Sequence, residues 1–208
     1  MMKRLPLTLV CASAAAAVLA GCASPEPRYY TLAQGPGAVA APAPAAVPST
    51  DTLWLEVAPV RVPERLNRPQ LVVRDGRNGN DGGSDAGVRL LDLSRWSSPL
   101  PDELRDALSQ RLQATLGAVD TYQQGLSDVQ PLYRITTEVL RLDADVGQRA
   151  GATINWTVRR LPDGKVVSGR THAELPAPGE VDGVVAAYRQ IVASTANDIA
   201  AGVQALRR

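Results

Sequence analysis

The stretch Thr153-Ile154-Asn155-Trp156-Thr157-Val158-Arg159-Arg160-Leu161-Pro162-Asp163-Gly164-Lys165-Val166 decides the fold. Ile154, Trp156 and Val158 alternate with Asn155, Thr157 and Arg159, the period-two pattern of a strand with one buried face. Pro162-Asp163-Gly164-Lys165 is a hairpin turn, so Val166 to Glu174 should return antiparallel. Upstream, Tyr133 to Val146 alternates in the same way. Tyr133, Ile135, Thr137, Val139, Arg141 and Asp143 share one side, and Arg134, Thr136, Glu138, Leu140, Leu142 and Ala144 share the other. A meander of strands follows from these patterns.

Two helical stretches flank the meander. Leu104, Leu108, Leu112 and the adjacent Leu116 recur at helical spacing, with Ala107 and Thr115 beside them on the inner face. Arg105, Asp106, Gln110, Arg111 and Gln113 make the polar remainder, and the helix should end near Gly117. After the meander, Val181, Val184, Val185, Tyr188, Ile191, Val192, Thr195, Ile199, Val203 and Leu206 keep helical spacing. Before the first helix, Leu53 to Val60, Gln70 to Arg74 and Val88 to Leu93 are β-prone. The segment Val62 to Pro69 reads as a turn with a short helical piece. The Gly, Asn and Asp residues from Asp75 to Gly87 read as a long hairpin loop. Two apolar-striped helices need one face of a sheet to cover. The expected fold class is α+β: a single two-layer domain, a largely antiparallel sheet with two long amphipathic helices on one face.

The N-terminal region carries a different signal. Lys3 and Arg4 precede an apolar run from Leu5 to Ala20, then Leu19-Ala20-Gly21-Cys22. A charged start, a short apolar run and small residues before a thiol form a lipoprotein signal peptide. The expected boundaries are 1–21 for the signal peptide, 22–50 for a lipidated N-terminus with a Tyr-Tyr strand and an Ala/Pro linker, and 51–208 for the folded domain. Cleavage between Gly21 and Cys22 leaves Cys22 first, with a diacylglycerol thioether and an N-acyl chain. No other cofactor is implied. Ala23 rather than Asp follows the thiol, which in enteric-type sorting favours the outer membrane.

Composition narrows the function classes. The chain has 208 residues and a net charge of +1, so no basic face for nucleic acid is indicated. Cys11 would leave with the signal peptide, and Cys22 would be lipidated, so no thiol remains for a disulfide. The one histidine, His172, argues against a histidine-based metal cluster. Gly76 to Gly87 lacks the order of a phosphate loop, and Asn80, Asp81 and Asp85 lack the closing Glu of a calcium loop. Asp143 and Asp145 share a strand face near a hairpin end, where solvated carboxylates are ordinary. No catalytic constellation emerges, and no enzyme is expected.

Three short motifs remain: Tyr29-Tyr30-Thr31-Leu32, then Asn67-Arg68-Pro69-Gln70-Leu71-Val72-Val73-Arg74, then Arg95-Trp96-Ser97-Ser98-Pro99-Leu100. In this order behind a lipoprotein signal, they resemble the ABC-type transport auxiliary lipoprotein family. That family includes the PqiC-like lipoproteins of the paraquat-inducible MCE systems. The resemblance covers essentially all of the mature chain. It departs in the expanded Gly/Asp-rich loop and the longer proline-rich linker.

The resemblance implies a lipid-anchored partner of an MCE-domain protein and its ABC permease and ATPase. Such a protein would be held in the inner leaflet of the outer membrane, as a homo-oligomer. Tyr29, Tyr30, Asn67, Arg68, Pro69, Arg95 and Trp96 are the expected partner-binding residues. A lipoprotein that activates or scaffolds cell-wall synthesis is the competing reading, since such proteins also join a tether to a small α+β domain.

Overall fold

The structure is a computed structural model that describes residues 25–33, 52–75, 87–126 and 128–208. The signal peptide, Gly21, Cys22, most of the Ala/Pro linker, and Asn80, Asp81 and Asp85 lie outside the described residues.

The fold is α+β, as the patterns require. The strands are β1 (Arg28–Tyr30), β2 (Leu53–Val57), β3 (Gln70–Arg74), β4 (Val88–Trp96), β5 (Ala118–Asp120), β6 (Tyr133–Asp145), β7 (Arg149–Arg160) and β8 (Val166–Pro176). The helices are α1 (Leu100–Leu116) and α2 (Val181–Arg207). A 3-10 turn, Glu64–Leu66, precedes β3.

Two mixed sheets form, one of five strands in the order β5-β2-β6-β7-β8 and one of three in the order β1-β4-β3. The meander β6-β7-β8 is antiparallel, with Trp156 opposite Gly169. The division of the strands into two sheets, and the short strand β5 after α1, go beyond what the patterns indicated. Strand β2 is parallel to both β5 and β6. Both helices cover one face of the larger sheet, α2 across β6 to β8 and α1 across β2 and β5.

Helix α1 starts after Pro99, with Asp102 and Glu103 in its first turn, where the helix dipole favours acids. It stops at Gly117, whose φ of 60° is a left-handed cap that glycine adopts without a Cβ penalty. Its core stripe of Leu100, Leu104, Ala107, Leu108 and Leu112 meets Leu55, Val57 and the apolar stripe of α2 in one continuous core. In α2 the anticipated stripe is buried except for Val181, which is half-buried.

Three local readings change. Thr115 is exposed rather than inward. Arg105 is buried rather than part of a solvated face. In β6 the register shifts between Val139 and Arg141, leaving Leu140 as an extra residue. A bulge of this kind reverses the alternation beyond it. Leu142 and Ala144 therefore join the core, and Arg141 and Asp143 turn away from it.

Trp156 occupies a slot made by two glycines. A Cβ on Gly169 would stand 2.2 Å from the indole Cζ2, and one on Gly202 would stand 3.1 Å from Cζ3. Gly169→Ala is therefore expected to push the indole out of its site and lower unfolding free energy by about 1–3 kcal/mol, the usual cost of overpacking. Chemical denaturation followed by tryptophan emission reads both effects. An unchanged midpoint would contradict this packing.

Candidate functional site

The three motifs are far apart in sequence and adjacent in the small sheet. Strand β1 lies parallel to β4, with Tyr29 opposite Arg95 and Tyr30 opposite Trp96. On the other side of β4, Gln70 opens β3 opposite Arg95. The Trp96 amide donates to the Pro69 carbonyl at 2.8 Å, and the Ser97 amide donates to the Tyr30 carbonyl at 2.8 Å. The Arg95-Trp96 segment is thus stitched to Pro69 on one side and Tyr30 on the other.

The predicted site residues divide by exposure. Asn67, Arg68 and Pro69 are exposed, and Tyr29 is 63% exposed. Arg95 is half-buried, and its Nε donates to the Asp92 carbonyl at 3.1 Å. Arg68 Nε donates to the Arg65 carbonyl at 3.3 Å, which closes the 3-10 turn. Trp96 is buried, with its ring 6.5 Å from that of Tyr188. It shapes the surface from beneath. Tyr30 is half-buried under the Arg28 guanidinium, and Arg28 reaches Asp182 at 3.2 Å.

A buried carboxylate fastens this assembly to the helices. Glu103 Oε2 accepts from Thr31 Oγ1 and from the Leu32 amide, both at 2.7 Å. Its Oε1 accepts from Ser97 Oγ at 2.5 Å, Ser98 Oγ at 2.8 Å and the Ser98 amide at 3.2 Å. Burial pushes the Glu103 carboxyl up, but the bonds from Ser97, Thr31, Leu32 and Ser98 outweigh it and hold the pKa below its ordinary value. Arg189 of α2 adds two bonds to the Thr31 carbonyl, at 3.1 and 2.7 Å. The end of β1 and the turn after β4 therefore share one latch.

Glu103 was absent from the expected site. A signal existed: it stands beside Leu104 on the stripe of Leu100, Ala107 and Leu108, where an acid is out of place unless paired.

A second buried acid sits under α1. Asp120 Oδ2 accepts from Arg105 Nη2 and Ser109 Oγ, each at 2.6 Å, and Oδ1 from the Val57 amide at 3.2 Å. Arg105 also donates to the Val57 carbonyl and lies 4.4 Å over the Tyr122 ring. This cluster joins β2, β5 and α1.

The remaining titratable candidates are engaged elsewhere. Asp143 pairs with Arg74 and Arg141, and Asp145 with Arg149. His172 is exposed, with Nδ1 3.0 Å from Thr153 Oγ1. Among the described residues, no three metal-ligating side chains stand together, and no helix is long and apolar enough to cross a membrane.

The three-stranded sheet and the turn that leads into β3 thus present Tyr29, Arg68 and Pro69 at the surface. The chain belongs to the family of ABC-type transport auxiliary lipoprotein components, whose model matches residues 30–200. It is a family of transport accessories and not of enzymes. Among curated proteins, none matches this chain in sequence. Solved structures share the fold. One uncharacterised protein is 19% identical, with a TM-score of 0.63 over 86% of this chain and 99% of its own. A protein from Xanthomonas campestris is 18% identical, with a TM-score of 0.53 over 73% of this chain and 82% of its own.

Proposed function

We propose that this protein is the lipid-anchored accessory component of an ABC/MCE-type lipid transport system. Cys22 carries the diacylglycerol and N-acyl chains, anchored in the inner leaflet of the outer membrane. The domain docks the periplasmic MCE component, as a homo-oligomer, and supports lipid traffic between membranes and envelope integrity. Family membership supports the transport role. The observation that carries the docking role is the meeting of Tyr29-Tyr30 and Arg95-Trp96 in one sheet with the Asn67–Pro69 turn that leads into its strand β3. Exposed Arg and aromatic side chains on a rigid base are favoured at interaction hot spots.

Pull-down of the native lipidated protein from crosslinked envelopes tests this reading. Recovery of an MCE-domain protein is expected. Recovery of a penicillin-binding protein without it would overturn the proposal in favour of cell-wall synthesis. The anchor has its own test. Cys22→Ser is expected to accumulate as an unprocessed precursor, seen by immunoblot of fractionated membranes. A Cys22→Ser protein that matures and stays in the outer membrane would contradict lipidation.

A further inference from the structure

We infer that the outer face of the β3–β4 hairpin, around Val88, Leu90 and Leu93, rests on the membrane surface as a second contact beside the lipid anchor. The inference rests on the Cys22 anchor proposed above. Strand β1 runs parallel to β4, with Arg28 opposite Ser94. Strand β1 therefore enters the sheet from the Val88 end of β4. Cys22 stands six residues before Arg28, and Val88 stands six residues before Ser94. Six residues span at most about 20 Å. Pro25 and Pro27 within that stub favour extended backbone. An anchor at Cys22 thus holds the bilayer surface near the level of the β3–β4 hairpin. The Ala/Pro linker lies beyond Leu32 and adds nothing to this reach.

The surface presented there is apolar. Val88 is 57% exposed, Leu93 46% and Leu90 40%. Of the eight large hydrophobic side chains exposed among the described residues, these three and Tyr29 stand on the three-stranded sheet. Clustering of this kind marks a contact surface. Val88 and Leu90 share a face with Val72 across the pair. Arg74 pairs with Asp143, Arg149 with Asp145 and Arg28 with Asp182, and the exposed Arg89 and Asp92 of β4 carry opposite charges beside the patch. A surface with small net charge and protruding aliphatic groups fits lipid headgroups and upper acyl segments.

The test uses the full lipidated protein. Single cysteines replace Leu90, Val88 or, as a control, Val166. The control is 43% exposed and pairs with Arg159, eight residues along β7 from Gly151, which lies opposite Asp143. That separation is about 27 Å. Each thiol carries an environment-sensitive dye, in phosphatidylethanolamine/phosphatidylglycerol vesicles containing headgroup-nitroxide lipid. Quenching at Leu90→Cys and Val88→Cys at least two-fold stronger than at Val166→Cys is expected. Equal quenching at all three positions, or none at the first two in protein that floats with the vesicles, would overturn the inference and leave the anchor standing. A blue shift without quenching would put protein rather than lipid on this face, and also overturn it. Protein that does not float with the vesicles would remove the Cys22 anchor, and this inference with it.

Discussion

Asp120→Ala is expected to lower the unfolding free energy by about 3 kcal/mol, because it takes away the buried partner of Arg105 and leaves that charge only the more exposed Asp106, at 2.9 Å. The Asp120 side chain has no exposure and that of Arg105 only 6%. Removing the carboxylate also takes the acceptor from the Val57 and Tyr122 amides. The ion pair itself contributes less than this number suggests, since taking two charges out of water offsets most of their attraction. Arg105→Met with Asp120→Leu should therefore recover much of the loss. Urea denaturation of the three proteins checks both statements. A single variant within about 1 kcal/mol of the parent, the range of exposed pairs, would contradict the buried cluster.

Glu103→Ala should remove about 3 kcal/mol or more and release β1 from the body. Hydrogen bonds to a charged group contribute about 1.5–3 kcal/mol each, and buried donors left unpaired add their desolvation cost. Five donors lose their acceptor here, two of them the amides of Leu32 and Ser98. Glu103→Gln fails more gently, since the hydroxyls of Thr31, Ser97 and Ser98 can turn but the amides cannot. Trypsin cleavage after Arg28, which β1 pairing shields, should quicken in the order Gln then Ala. Acid acts on the same latch. The folded-state pKa of Glu103 lies below its free value of 4.5, so the unfolded chain binds the proton more readily. Its stabilisation is complete above that value and is lost as pH falls through the folded pKa. Glu103→Gln should flatten the pH dependence of stability below about pH 4.5. A parent and variant with parallel acid profiles would contradict the latch.

The parts of this fold legible in the sequence are those set by local pattern. Ile154, Trp156 and Val158 declared their strand because each apolar residue faces the same core. Pro162 to Lys165 declared the turn because its chemistry is local. Leu104, Leu108 and Leu112 did the same for α1. What stayed hidden depends on partners distant in the chain. Arg105 resembles a solvated residue until Asp120 and Val57 arrive beside it. The bulge at Leu140 cannot be seen in a strand whose polar and apolar residues alternate on both sides of it. The parallel pairing of β1 with β4 joins residues more than sixty positions apart, with no local signature. The site was legible in its motifs and not in its assembly. Tyr29, Arg68 and Arg95 were expected to act together, whereas Glu103, which holds Thr31 and Ser98 of two of the motifs in place, lies outside all three.

The most direct test of the docking account is site-specific photocrosslinking in intact cells, with a photoreactive residue at Arg68 or Tyr29 and a control at Val166. The account predicts adducts with an MCE-domain protein from Arg68 and Tyr29 and none from Val166. Adducts with a cell-wall synthase from those two positions, or MCE adducts equally strong from Val166, would contradict it.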